Sequence, residues 1–275
     1  MSPTRTHLLR RETIGGETAP GPRNLGHVPT TLVGGLRIAC QTRHETAELF
    51  ADIVADRAGP LSLPVYMTSA NGQVLSGCAT SLAQRRLFAA ADHISADGQP
   101  MVVASRWLSR APLPERCATT DLFHDVSRAV PPGTRYYLFG AAPAEIERAV
   151  ERTREMHPHV DVCGASHGYL DASGEEAVLA EIDRLAPDIL WIGLGVPREQ
   201  DFAVRHRARL SRVRIIKTSG GLFNFLSGSR SRAPRWMQRS GLEWLYRLAL
   251  EPRRLFLRYL TTNAHSLALL LLRTR

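Results

Sequence analysis

A recurring unit dominates this chain: a short apolar run, a turn rich in Gly or Ser, and then a stretch of helical character. Residues 63–68 (LPVYMT) lead through Ser69-Ala70-Asn71-Gly72 into a helical stretch over 73–91, and residues 101–104 (MVVA) form a weaker run ahead of Trp107. Residues 135–140 (RYYLFG) turn at Gly140-Ala141-Ala142-Pro143 into 143–157, where Ile146, Ala149 and Val150 recur at helical spacing. Residues 160–163 precede the Gly-rich stretch 164–168 and a helix over 175–185. Residues 189–194 (ILWIGL) precede 197–210, and residues 214–218 (RIIKT) precede 220–226. Short apolar runs of this kind read as buried strands, and strands alternating with helices demand a sheet covered on both faces. The spacing predicts an α/β fold: a Rossmann-like, mostly parallel sheet with helices on both faces.

In open α/β sheets ligands bind beyond the carboxyl ends of the strands, where backbone amides and helix N-termini can hold phosphate. The turns after the runs therefore mark a nucleotide-type site by topology. Gly193-Leu194-Gly195 lacks the third glycine of a dinucleotide fingerprint, and there is no GxxxxGK[ST] loop. A nucleotide-dependent oxidoreductase needs that fingerprint. Tight turning from strand to helix accounts for these glycines as well as phosphate binding does.

Residues 1–31 hold scattered Pro, Gly and Arg without the apolar run of a signal peptide, and read as a flexible tail. No apolar stretch reaches the roughly 18 residues needed to span a bilayer; the longest candidate covers residues 267–272. Cys40, Cys78, Cys117 and Cys163 form no CxxC pair and have no histidine at metal-ligand spacing, so they read as buried thiols in a reducing compartment. The net charge of +9 is unevenly spread: residues 229–275 contain ten arginines against Glu243 and Glu251. Within this segment Ser240 and Glu243 have the spacing of a capping box ahead of Leu242, Leu245, Leu248 and Ala249. Pro252 suits the first turn of a further helix, which would place Leu255, Phe256, Tyr259 and Leu260 on one face among Arg253, Arg254 and Arg258. The pattern is a basic amphipathic appendage, suited to a membrane surface or to packing on the domain. The expected division is a tail over 1–31, a catalytic α/β domain over 32–228 and the basic segment over 229–275.

For chemistry, Asp97 in Ala96-Asp97-Gly98 is the leading candidate, because a carboxylate beside glycine in a loop can reach a substrate hydroxyl and act as general base. Capping a turn is the competing role for the same residue. His93, His157, His159 and His167 form no ligand array, and no DxD pair is present to hold a divalent ion on a diphosphate. Metal dependence is not expected, and no cofactor is expected. A basic membrane- or nucleic-acid-binding module without catalysis is the alternative that charge alone allows; it leaves Asp97-Gly98 and the strand series without a purpose.

Several motifs together carry a resemblance. Ser69-Ala70-Asn71, Ala96-Asp97-Gly98, Glu115-Arg116 with Asp121-Leu122, Leu138-Phe139-Gly140, Gly168-Tyr169 and Pro187-Asp188-Ile189-Leu190 with Gly193-Leu194-Gly195 occur in this order. They are followed by Gly220-Gly221-Leu222-Phe223, Arg232-Ala233-Pro234-Arg235-Trp236, the run 241–248 (GLEWLYRL) and Glu251-Pro252-Arg253-Arg254. The chain resembles the WecG/TagA/CpsF family, glycosyltransferase family 26, over roughly residues 60 to 262. The resemblance implies an inverting, metal-independent transferase that moves a sugar from a UDP-sugar donor to a polyprenyl-diphosphate-linked saccharide in bacterial surface-polysaccharide synthesis. It also implies a cytoplasmic protein, peripheral on the inner face of the cell membrane, able to self-associate, with no nucleic-acid partner.

What the resemblance implies for individual residues is specific. Asp97 would be the general base, with Ser69 and Asn71 beside the sugar and nucleotide. Arg116, Gly140, Gly193 and Gly195 would serve the donor and its nucleotide, and Arg232, Arg247 and Arg254 would meet either the diphosphate or lipid phosphate. The chain departs from the family in three places. Ser69 stands where Thr is usual, Thr119-Thr120 replaces a glycine ahead of Asp121, and Pro197-Arg198-Glu199-Gln200 inverts the usual order of amide and acid. Adjacent helix residues point about 100° apart, so Glu199 and Gln200 are held as a pair for the nucleotide contact.

Overall fold

The computed structural model describes residue 25 and residues 28–56, 63–239, 242–250 and 252–275. In chain order its elements are β1 (Thr30–Val33), β2 (Leu36–Ala39), α1 (Arg43–Ala55), β3 (Val65–Ala70), α2 (Gly72–Thr80), α3 (Leu82–Ala89), β4 (His93–Ala96), α4 (Gln99–Leu108), α5 (Thr119–Ala129) and β5 (Arg135–Gly140). There follow α6 (Pro143–Met156), β6 (Asp161–Ser166), α7 (Ala172–Leu185), β7 (Ile189–Gly193), α8 (Arg198–His206), β8 (Ile215–Thr218), α9 (Leu222–Leu226), α10 (Arg235–Arg239), α11 (Glu243–Leu250) and α12 (Pro252–Leu272). Strands β3 to β8 form a parallel sheet in the order β4-β3-β8-β7-β5-β6, so all of their carboxyl ends lie along one edge. The α/β expectation holds. Two registers matter for chemistry: Ala70 pairs with Ala96, which brings the loops carrying Asn71 and Asp97 side by side, and Met67 pairs with Lys217.

The strands alternate strictly between two apolar layers, as a sheet buried on both faces must. Tyr136, Leu138, Ile189, Trp191 and Ile215 face one layer with Phe50, Leu122 and Phe123. Tyr137, Phe139, Leu190, Ile192 and Ile216 face the other with Leu179, Ile182 and Phe202. A third cluster gathers Val33 and Ile38 of the β1–β2 hairpin, Val74 and Leu75 of α2, Met101 of α4, and Leu269 and Leu270 of α12.

Several local expectations change. The helical stretch over 73–91 is broken at Ser81, which ends α2 and caps α3 by accepting from Gln84 N at 3.2 Å. The apolar run 101–104 is helix rather than strand: it lies inside α4, where Met101 and Val102 are buried. The neighbouring strand is instead the partly polar His93–Ala96. The antiparallel β1–β2 hairpin was not expected; its turn uses Gly34 and Gly35, both at positive φ, and it begins at Thr30. Cys78 and Cys117 are buried, whereas Cys40 and Cys163 are half-buried, and all are free thiols. The expected capping box rests on Ser240, outside the described residues.

The C-terminal helices are tied into the α/β body. His265 Nδ1 lies 2.8 Å from Ser76 Oγ of α2, Arg273 O accepts from Gly35 N at 3.0 Å, and Arg275 N donates to Leu32 O at 2.9 Å. The chain end therefore fastens to the hairpin.

Candidate active site

The site is built where β3 and β4 end. Asp97 follows β4 directly, and its amide donates to Ala70 O at 2.8 Å, continuing the β3–β4 ladder by one bond. Its carboxylate is fixed at both oxygens. Arg116 Nη2 donates to Oδ1 at 3.1 Å, and the amide of Thr119, at the start of α5, donates to Oδ2 at 3.3 Å. The glycine after it, Gly98, is the N-cap of α4 and lines the same cavity as the carboxylate.

Arg116 is shared between two parts of the chain. Its Nη1 lies 2.8 Å from Glu243 Oε2 at the start of α11, so one guanidinium joins the Asp97 loop to the C-terminal segment. Burial works against the Arg116 charge, but the neighbouring Asp97 and Glu243 carboxylates outweigh it and raise its pKa. Arg116 Nε is buried without a hydrogen-bond partner among the described residues. A second tie runs through Arg232, which forms a two-pronged pair with Asp121 of α5, Nη2 lying 3.2 Å from Oδ2, and also donates to Gln238 Oε1 at 2.7 Å. Burial opposes the Asp121 charge, and Arg232 prevails to hold its carboxyl below the usual range.

Asp97, Asn71, Gly98 and Arg116 line one cavity of about 350 Å³, whose far wall is Glu243 of α11 and Asn263, Ser266 and Leu267 of α12. Asn71 also caps α2, accepting from Val74 N at 3.2 Å. Ser69 lies at the end of β3, where its hydroxyl meets Thr119 Oγ1 at 3.0 Å and accepts from Lys217 Nζ at 2.7 Å. Lys217 is fully buried on β8, and burial pushes its amine from 10.5 down to about 8.

Gly140, Gly193, Gly195, Glu199 and Gln200 form a second group around the carboxyl ends of β5 and β7, outside that cavity. Gly140 (φ +143°) and Gly193 are required by close approach, since a Cβ at Gly140 would stand 2.3 Å from Gly193 O. Gly195 (φ +79°) differs, because a Cβ there would meet nothing within 4 Å. Glu199 and Gln200 are both buried beneath the turns. Glu199 Oε2 accepts from Gly195 N at 3.1 Å and from Gly220 N at 2.9 Å, clamping two turns together. Burial raises the Glu199 carboxyl to about 7. Gln200 Nε2 donates to Glu199 Oε1 at 3.1 Å and to Thr68 Oγ1 at 3.3 Å, so each partner of the inverted pair has its own work within the scaffold. Arg247 and Arg254 belong to α11 and α12; their side chains lie outside the described residues.

Sequence reasoning missed Thr119 as the donor to Asp97, Glu243 as the partner of Arg116, and Lys217 as the cation behind Ser69. Only Lys217 carried a signal, as the single lysine of the chain set inside an apolar run.

The family model described as Glycosyl transferase WecG/TagA/CpsF family matches residues 31–275. Relatives named N-acetylglucosaminyldiphosphoundecaprenol N-acetyl-beta-D-mannosaminyltransferase include one from Bacillus spizizenii, 30% identical over 190 residues that cover 69% of this chain and 72% of the relative. One from Bacillus subtilis is 32% identical over 167 residues, covering 60% and 64%. One from Staphylococcus aureus is 25% identical over 192 residues, covering 70% and 74%.

Proposed function

The chain belongs to the WecG/TagA/CpsF family of glycosyltransferases, and within it we propose that this protein moves a sugar from a UDP-sugar to a polyprenyl-diphosphate-linked saccharide. Membership makes it an enzyme rather than a basic module without catalysis or an oxidoreductase. The names of the relatives support a lipid-diphosphate acceptor. The observation that carries the reading is Asp97: a carboxylate fixed at both oxygens at the carboxyl edge of the sheet, facing a cavity large enough for a sugar.

Asp97 takes the proton from the acceptor hydroxyl as that oxygen bonds to the anomeric carbon of the donor. The bond from that carbon to the UDP oxygen breaks, and its electron pair leaves with the diphosphate. A single displacement of this kind inverts the anomeric centre. Anchoring by Arg116 and the Thr119 amide aims the carboxylate before the acceptor arrives, which spares reorganisation during reaction.

The nucleotide lies over the Gly195 and Gly220 turns, where the backbone faces open space at the ends of β7 and β8. Glu199 and Gln200 hold those turns in shape from below, and Gly140 and Gly193 let the two strand ends close up. Charge on the departing diphosphate is met by the chain's own cations in place of a metal ion. Arg116 lines the cavity, and Arg232, Arg247 and Arg254 add positive charge from the C-terminal segment. Among the described residues no helix is long and apolar enough to cross a membrane. The ten arginines of residues 229–275 supply the charge that holds the enzyme against the anionic inner face of the membrane, where a lipid-linked acceptor is presented.

The test is transfer of radiolabel from a panel of UDP-sugars to a short-chain polyprenyl-diphosphate saccharide, with chelator present. Transfer from one donor that survives chelation supports the reading and names the sugar. Transfer that vanishes on chelation removes the metal-free mechanism, and no transfer from any donor removes the acceptor assignment.

A further inference from the structure

Beside the Asp97 cavity runs a second, apolar groove of about 360 Å³ between α4 and α12. Its walls are Val103, Trp107 and Leu108 on one side and Leu267, Leu270 and Leu271 on the other. Trp107 is 84% exposed, Leu271 60% and Leu267 56%, so the groove leaves a continuous apolar face in water. Faces of this kind mark binding surfaces. Four residues, Gln99, Pro100, Leu267 and Leu270, line both this groove and the cavity that holds Asp97, so the two are one passage with a polar end and an apolar end.

We propose that the α4–α12 groove binds the isoprenoid tail of the acceptor, taking the isoprene units nearest the diphosphate while the saccharide reaches Asp97. The inference rests on the lipid-linked acceptor assigned above. Its support is the order of chemistry along the passage. Asp97 and Arg116 stand at one end, Gln99 and Pro100 at the junction, and Trp107, Leu108 and Leu271 beyond, matching a molecule that runs from hydroxyls through charge to hydrocarbon. The ten residues of α4 rise about 15 Å, room for roughly three extended isoprene units. A bilayer or a second copy of the chain could cover an apolar face, but neither requires that face to open into the catalytic cavity. A substrate tail does.

The test uses the full chain and two water-soluble acceptors with the same diphosphosaccharide head, one bearing three isoprene units and the other a methyl ester. The variants Trp107→Ser and Leu271→Ser alter exposed side chains on opposite walls, away from Asp97. Wild-type KM should be about tenfold lower for the prenyl acceptor, as burial of its apolar surface requires. Each variant should raise that KM about tenfold, keep kcat within about twofold, and leave both constants for the methyl ester unchanged. Equal effects on both acceptors, or none on either, would overturn the proposal. So would variants that lose flotation with phosphatidylglycerol vesicles, or lose mass by light scattering, while keeping the prenyl KM; those results would assign the face to the bilayer or to a second copy. Calorimetric titration with farnesyl diphosphate and with pyrophosphate decides the groove even without turnover. Tighter farnesyl binding that both variants abolish supports the groove though the acceptor reading fail; farnesyl binding no tighter than pyrophosphate removes it.

Discussion

Arg116 lies with Nη2 3.1 Å from Asp97 Oδ1, so the carboxylate assigned the proton transfer is held by a cation that also grips Glu243 of the C-terminal segment. The Asp97 loop and the far wall of the cavity are thus fixed by one side chain. Removing it takes a charge partner from two largely buried carboxylates.

Arg116→Met is expected to lower folding stability by about 2–3 kcal/mol, less than a fully buried pair would lose because Asp97 keeps some water contact. It should also lower kcat on the lipid acceptor by more than tenfold, since Asp97 loses its aim. Urea unfolding and initial rates measure both. Stability within about 0.5 kcal/mol of wild type would show that the shared guanidinium holds nothing together.

A chain ending at Gly228 loses the cavity wall from α11 and α12, and it uncovers Val33, Ile38, Val74 and Leu75, which Leu269 and Leu270 now cover. We expect the melting temperature to fall by roughly 10–20 °C and transfer to the lipid acceptor to disappear. Calorimetry and the radiolabel assay report each effect. Full activity in the shortened chain would mean that the site is complete without the C-terminal segment.

Much of this arrangement was legible in the sequence, and the limits have physical causes. The strands β3, β5, β7 and β8 announce themselves because fully buried parallel strands are apolar on both faces. Residues 93–96 (HISA) hid β4, because His93 and Ser95 are buried by partners that only folding supplies, such as Gln41 Oε1 at 2.9 Å from His93 Nε2. The run 101–104 was misleading because four apolar residues fit a buried helix turn as well as a strand. Asp97 was singled out from local chemistry, whereas Glu243 is separated from Arg116 by more than a hundred residues and nothing in either neighbourhood points to the other. Glu199 and Gln200 carried a family expectation of nucleotide contact; their burial beneath the turns explains how an inverted pair keeps both members hydrogen-bonded.

Lys217 predicts a pH effect with a definite sign. Its pKa is depressed on folding from 10.5 to about 8, so between these values the unfolded chain binds more protons than the folded one. The stability it contributes is therefore present above 10.5 and lost as pH falls through about 8, a change on the order of 3 kcal/mol. Denaturant unfolding at a series of pH values should show Lys217→Met with a shallower rise than wild type across this window. Parallel curves would place the amine in contact with water.

Charge in the C-terminal segment predicts salt-sensitive membrane binding. Residues 229–275 hold ten arginines against two acids, so flotation with anionic vesicles should weaken markedly as salt rises past physiological strength, where the screening length is about 8 Å. Flotation that ignores salt would assign attachment to apolar residues instead.

The most direct test of the account is the initial rate of sugar transfer by Asp97→Asn at saturating UDP-sugar and lipid acceptor, beside its affinity for the donor. The amide keeps the shape of the side chain, and its one oxygen can still accept from Arg116 while the contact with the Thr119 amide is given up, but it cannot take a proton. A fall in kcat of about 10² to 10⁴-fold with donor affinity unchanged is expected. A variant that keeps its rate within about tenfold would contradict the assignment of Asp97 as the base.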